Sequence, residues 1–327
     1  GLLATNPAQM ANVAGKGGGD RAYRRRWLPG RGFLGLLARN PAEMANVAGK
    51  GGVGTHPPTT EALRRILRPM DLESALHMEP ITDGLAAVIP TGWDQGRTTF
   101  GGLVAAYLAR AVETNHPRAI RSVDAYFLEP VLAGPIELLE TGLREGKYVS
   151  HVEQTMTVGG KPVAVARFLL ADPEPGPFDT VPTAPEPTKT LEECTRMPFI
   201  EGMTPTFTQQ FDIRLGEGSL PFSGSTQAVI GGFVRNIGTA TGVAAMLTHI
   251  DAWPPPVLAL VQQAAAASTV RWHVQFHADV RDADGEQWSW MRNEATWRSG
   301  RLATVVGPLV REGRSVAYCE QTIAMYL

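Results

Sequence analysis

The stretch GWDQGRTTFGGLVAAYLARAV, residues 92–112, limits what this chain can fold into more than any other. Leu103, Val104, Ala106, Tyr107, Leu108 and Ala111 leave almost no polar stripe on the helix they predict, and a helix apolar all round is enclosed by other structure. Gly101 and Gly102 let the backbone turn tightly into the helix and leave free N–H groups, backed by the helix dipole, to meet a polarised oxygen. A strand-like run at Gly84 to Ile89 precedes the helix, and four follow it: Ile120 to Leu128, Ile136 to Leu143, Tyr148 to Val158 and Pro162 to Leu170. The last two are joined by Gly159-Gly160, a strong hairpin signal. A long apolar helix followed by a meander predicts an α+β unit with an antiparallel sheet curled around the helix.

The same order then recurs. Asp172 to Pro187, DPEPGPFDTVPTAPEP, is too rich in proline and acid for regular structure and reads as a linker. Beyond it, strand-like Thr206 to Leu215 and Gln227 to Asn236 lead into an apolar helix near Thr241 to His249. Strands at Thr269 to Phe276, Trp288 to Trp297, Leu302 to Val310 and Ser315 to Met325 follow, with Glu312-Gly313 at the last hairpin. The expected organisation is a leader over 1–58, a first domain over 59–171 opening on a short amphipathic helix from Thr59 to Leu72, a linker over 172–195, and a second domain over 196–327.

Residues 1–18 recur at 35–52 with only Thr5/Arg39 and Gln9/Glu43 different, and an Arg-rich segment lies between the copies. Two copies without a third make a local duplication rather than a solenoid. An Arg-rich, acid-poor leader reads as a solvated tail or sequence upstream of the true start in preference to a mitochondrial targeting segment. Gly49 to Gly54 echoes a phosphate loop, but no Lys-Ser/Thr pair follows and no buried strand precedes it, so nucleotide binding is rejected. Apolar content of 43% with a net charge of −2 describes a soluble globular chain with nothing pointing to nucleic acid. Cys194 and Cys319 make no disulfide framework, so a reducing compartment, the cytoplasm by default, is expected.

WDQGRTTFGGLVAA, SVDAYFLEP and LREGKYVSHVEQTMTVGGKPVAVARFLLADPE together resemble the first half of the type II, double hot dog acyl-CoA thioesterases, and IDAWPPPVLA, STVRWHVQFH and VAYCEQ resemble their catalytic half. The resemblance covers residues 60–327. It implies two tandem hot dog domains, an acyl-CoA substrate, no cofactor, and a homo-oligomer. It also implies that Asp251, Thr269 and Gln321 hold the water that attacks the thioester carbonyl. These residue types suit that chemistry. A thioester is already electrophilic, so a water polarised by a carboxylate and oriented by two hydrogen-bonding side chains can attack without a covalent intermediate. An amide at Gly101 or Gly102 would meet the oxyanion. Ser268 competes with Thr269, because a one-residue slip of the strand exchanges the two hydroxyls.

Other constellations are weaker. His273 and His277 lack metal spacing and a third ligand and read as packing or surface residues. PFSGST lacks the GxSxG of a nucleophile elbow. Trp253, Trp272, Trp288, Trp290 and Trp297 read mostly as core between helix and sheet, with an acyl tunnel as the other reading. Arg281, Arg298 and Arg301 are equal candidates for the coenzyme A phosphates. Two rival functions stand beside hydrolysis: an acyl-CoA-binding protein that has lost turnover, and a hot dog enoyl-CoA hydratase. Asp251 lacks the nearby His that hydratases of this architecture use.

Overall fold

The computed structural model describes residues 70–172 and 182–326. The duplicated leader, the expected helix from Thr59 as far as residue 69, and linker residues 173–181 lie outside the described residues. A single helical turn, α1 (Leu72–Ala75), capped by the Asp71 side chain, opens the described chain. It is followed by strands β1 (Met78–Ile81) and β2 (Gly84–Ile89) and by the short pair β3 (Asp94–Gln95) and β4 (Thr98–Thr99).

Helix α2 (Gly101–Asn115) then enters the core, and every residue from Gly102 to Ala109 is buried. Strands β5 (Ile120–Phe127), β6 (Gly134–Glu145), β7 (Val149–Val158) and β8 (Lys161–Ala171) return around it. In the second half the corresponding pieces are β9 (Thr195–Arg196), β10 (Phe211–Gly218), β11 (Val229–Asn236), helix α3 (Gly242–Asp251), β12 (Ala266–Phe276), β13 (Ser289–Ser299), β14 (Leu302–Arg311) and β15 (Arg314–Tyr326). The turns Gly159-Gly160 and Glu312-Gly313 all have positive φ, as tight hairpins need.

All strands except β3 and β4 form one 13-stranded sheet, ordered β1-β2-β6-β7-β8-β5-β12-β15-β14-β13-β11-β10-β9. Apart from the edge strand β9, the order reads the same from either side of the β5–β12 seam. Each half is an antiparallel sheet curled around one helix, so the architecture is a double hot dog. The two helices lie antiparallel: the C-terminal Asp251 of α3 meets the first turn of α2, while Glu113 near the end of α2 accepts from the Val243 N–H at the start of α3.

Arg110 pins that second junction. Its guanidinium holds Glu73 at 2.6 and 2.9 Å, and Glu73 in turn accepts from the Thr241 N–H and hydroxyl, each at 2.8 Å. Burial works against the Glu73 carboxylate, but the hydrogen bonds from Arg110 and Thr241 outweigh it and hold its pKa below the ordinary value. His249, fully buried on α3, accepts from the Ser289 hydroxyl and donates from Nε2 towards Asn236 Oδ1 and the Gly285 carbonyl. Burial pushes its pKa down to about 3.

The tryptophans do not share one core. Trp253 and Trp272 are buried in it, but Trp290 pairs with Phe233 and Val310 on the other side of the sheet, and Trp288 stacks edge-on against Phe233. There, linker residues 182–187 line a cleft of about 460 Å³ with them. Trp297 is half exposed.

Candidate functional site

The C-terminal end of α3 delivers Asp251 to the start of α2. A Cβ on Gly101 would lie 2.8 Å from Asp251 Oδ2, and one on Gly102 would lie 3.1 Å from the Asp251 Cβ. Neither glycine has a positive φ. Gly101 is needed for room beside the carboxylate and Gly102 for room between Asp251 and the Phe100 ring, not for the tight turn expected from the sequence. The N-cap residue Phe100 is held from the other side by Phe207, stacked at 4.1 Å and 5° between ring planes. FTQQF, residues 207–211, was the sequence signal for that brace.

Asp251 Oδ1 accepts a hydrogen bond from Gln321 Nε2 at 3.3 Å, and the Gly102 amide lies close enough to favour its charged form. It keeps some solvent contact but is ringed by protein, and this burial raises its pKa to about 7 even though the Gly102 amide and Gln321 favour the charged form. A carboxylate with that pKa takes up and releases a proton near neutrality. The first N–H groups of α2, at Gly101 and Gly102, lie beside this carboxylate.

Register, not simple alternation, decides which hydroxyl lies on the inner face of the sheet. Trp272 pairs with Gln321, and Trp272 and Gln321 are both buried on the helix side. Counting back by twos from Trp272 would turn Val270 and Ser268 inward. A bulge at Val270 shifts the register, so that Thr269 pairs with the fully buried Ile323 and Ser268 with Ala324. Thr269 thus shares the inner face with Gln321, and Ser268 is exposed. The fold brings Asp251, Gln321 and the start of α2 together, and the register sets Thr269 on the same inner face, opposite the residue two along from Gln321.

The pseudo-equivalent place in the first half is built differently. A matching bulge separates Ile120 from Ser122, so Val123–Phe168 occupies the position of Trp272–Gln321, and Ile120–Leu170 that of Thr269–Ile323. Its helix junction carries Glu113, whose pKa burial raises and the neighbouring Arg110 partly restores. With apolar residues for the amide and hydroxyl, and an arginine on the carboxylate, that half lacks the polar set. The sequence contained this asymmetry, but only the paired bulges show which residues correspond.

The other candidates fall elsewhere. His273 Nδ1 lies 2.8 Å from Asp124 across the seam, and His277, just past the end of β12, contacts the Ser315 hydroxyl. Arg281 holds Asp279 and the Pro117 carbonyl, and its own carbonyl borders Gly242, at the end of α3 opposite Asp251. Arg298 and Arg301 flank the β13–β14 hairpin, where the Arg301 carbonyl accepts from the Met325 N–H, closer to Thr269 along β15.

The sequence model of the acyl-CoA thioesterase N-terminal domain matches residues 89–171, and that of the acyl-CoA thioesterase C-terminal domain matches residues 191–325. No curated protein matches the chain. Among solved structures, a conserved hot dog protein from Alicyclobacillus acidocaldarius superposes with a TM-score of 0.71 at 19% identity, over 78% of this chain and 98% of that one. A TesB protein from Mycobacterium avium subspecies paratuberculosis gives 0.63 at 18% identity, over the same 78% and 98%. The acyl-CoA thioesterase II TesB2 of Mycobacterium marinum gives 0.59 at 17% identity, again over 78% and 98%. At these identities the likeness is one of fold.

Proposed function

The chain belongs to the acyl-CoA thioesterase family of type II, double hot dog proteins, and from that premise we propose that it hydrolyses acyl-CoA to a free carboxylic acid and coenzyme A. The observation that carries the proposal is the Asp251 carboxylate, buried against the start of α2, hydrogen-bonded to Gln321, and with its pKa near 7. In the proposed reaction, Asp251 removes a proton from a water held by Thr269 and Gln321. The water oxygen adds to the thioester carbonyl carbon, and an N–H at Gly101 or Gly102 takes the developing oxyanion. Collapse breaks the carbon–sulfur bond, and Asp251 returns the proton to the leaving sulfur. No covalent intermediate is needed, because the thiolate leaves readily and the water is already placed. In this reading the domains are 59–171 and 196–327 with 172–195 between them, and the protein works as a homo-oligomer.

Thiol release from a panel of acyl-CoAs tests it. Asp251→Asn should keep substrate affinity and lose roughly 100-fold or more in kcat, the usual worth of a positioned general base. Thr269→Val should lose rate as well, whereas Ser268→Ala should not. A folded wild-type protein that binds acyl-CoA and releases no thiol would leave the binding reading in place, and hydration of an enoyl-CoA would replace hydrolysis outright.

A further inference from the structure

Next to Gln321 and Thr269 the inner face of the second half is packed shut. Val257, on the 3-10 turn Pro256–Leu260, meets Ala303, Val305 and Ile323, each 2% exposed or less, and Ala267 and Ala295 pack against them. That turn belongs to a long connection, Ala252 to Ala265, between α3 and β12. In the first half α2 runs into β5 through His116 to Ala119 alone, with no such turn. By the matched bulges, Ser150, Val152 and Leu170 correspond to Ala303, Val305 and Ile323, and Gly142 corresponds to Ala295. Arg118, two before Ile120, corresponds to Ala267, two before Thr269. All of these first-half residues line an open cleft of about 590 Å³.

The cleft differs in chemistry from its filled counterpart. Val152 and Leu170 give it an apolar floor, and the bulge between Gly142 and Arg144 adds Leu143, half exposed, to the lining. A Cβ on Gly142 would meet nothing within 4 Å, so this strand leaves room. Where the second half has Ala267, the cleft has the Arg118 guanidinium, only 22% exposed. Arg118 donates to the Gly146 and Lys147 carbonyls at 2.8 and 2.9 Å and to the Ser150 hydroxyl at 2.6 Å, all of them neutral oxygens. Its one ion pair among the described residues is with Asp172, half exposed and 3.6 Å away. Ser150 is 6% exposed, and after accepting from Arg118 its hydroxyl keeps a hydrogen that no described residue takes. Arg144 brings a second cation to the lining, against the single carboxylate of Glu145. A buried hydroxyl with an unused hydrogen, beside a guanidinium held mostly by neutral oxygens, suits an anion.

We propose that this cleft is a second ligand site, one that binds a free aliphatic carboxylic acid: the carboxylate at Arg118 and the Ser150 hydroxyl, the alkyl chain over Val152, Leu170 and Leu143. The acid is the product class of the thioester hydrolysis read above, and the choice of ligand rests on that reading. One guanidinium and one hydroxyl match the two oxygens of a carboxylate, and the apolar remainder of the lining gains by covering an alkyl chain. The cleft adjoins the connection that leaves the C-terminal end of α2, whereas Asp251 meets the N-terminal end. An acid bound there leaves the candidate catalytic residues uncovered.

The experiment is calorimetric titration of the full chain with octanoate, with octanamide as its uncharged analogue, and with inorganic phosphate. Wild type is compared with Ser150→Ala, which installs the residue of the second half, and Gly142→Val, which fills the cleft without touching Arg118. Thermal unfolding checks that each variant is folded. Wild type should bind octanoate roughly tenfold or more tightly than octanamide, the worth of hydrogen bonds to a charged group. Ser150→Ala should lose most of that preference, and Gly142→Val should weaken both ligands by roughly tenfold. Thiol release from acyl-CoA by both variants should stay at the wild-type rate. Octanoate affinity that is unchanged in both variants would place the acid elsewhere and overturn the proposal. So would a wild type that does not bind octanoate, or one that binds phosphate as tightly. Because the titration reads binding directly, a protein that binds octanoate as described and releases no thiol would keep the site and lose only the hydrolytic reading.

Discussion

Asp251 has a cost as well as a use. Its folded pKa of about 7 stands well above the 3.8 of an ordinary aspartate, so between those values the folded protein binds a proton that the unfolded chain releases. Stability from this residue is therefore fully present below about pH 4 and is lost as pH rises through 7, where the native state must hold a buried charge. Asp251→Asn removes that charge while keeping the shape. At pH 8 the variant should be more stable than wild type by on the order of a few kcal/mol, with the gap closing towards pH 4. Denaturant melts at the two pH values read this directly, and a gap that does not close with acid would remove Asp251 as its source. The rate should run the opposite way, with kcat/KM falling about tenfold per pH unit below 7 as the base is protonated. At this scale the residue types were legible in IDAWPPP, STVRWHVQFH and YCEQ. The choice of Thr269 over Ser268 was not, because alternation from Trp272 points to Ser268 and only the extra residue at Val270 reverses it.

Elements meet through their ends in this fold. The last residue of α3 touches the first turn of α2, and the last turn of α2 touches the first of α3, but the two junctions are chemically opposite. One leaves a carboxylate with the Gln321 amide and a helix N-terminus and, among the described residues, no ion-paired cation. The other surrounds its carboxylates with Arg110, Glu73 and Thr241. The second is thus a clamp. Arg110→Met would leave Glu73 and Glu113 without their cation in a half-buried site, and should destabilise the fold by about 2–4 kcal/mol. Adding Glu113→Gln should recover part of that loss. Urea titration measures both, and thiol release per folded molecule should stay near wild type because the clamp lies at the far end of the helix pair. Helices α2 and α3 and most strands were legible to within a few residues, since apolar runs and hairpin glycines report directly on burial and turns. The Pro256–Leu260 turn was not. Three consecutive prolines read as a loop, and only the packing of Val257 against Ala303, Val305 and Ile323 shows that this one turns inward onto the sheet. The same limit explains Trp290, an aromatic in an apolar strand whose burial is provided by a proline-rich segment distant in sequence.

At the scale of the whole molecule the two halves are one object. Strands β5 and β12 pair from Ser122–Gln275 to Tyr126–Arg271, with His273 held by Asp124 across the seam, so the sheet runs unbroken through the join. The repeat of helix and meander was legible along the chain; the seam was not, because nothing local in SVDAYF or VRWHVQF says which edge each will find. The candidate site depends on the seam, with its carboxylate, amide and hydroxyl in the second half and its helix N-terminus in the first. A protease site placed between Asp172 and Pro182 offers a way to test that dependence. Once cleaved under native conditions, the two pieces should stay together through the seam and the helix pair and release thiol at the uncut rate. The piece beginning at Pro182, purified alone, should release none, since Asp251 would lose the Gly102 amide and β12 would carry an unpaired edge. Restoring the first piece should restore the rate in proportion to the complex formed. Full turnover by the second piece alone would show that the start of α2 takes no part in the chemistry, and would return the oxyanion role to a donor within residues 182–327.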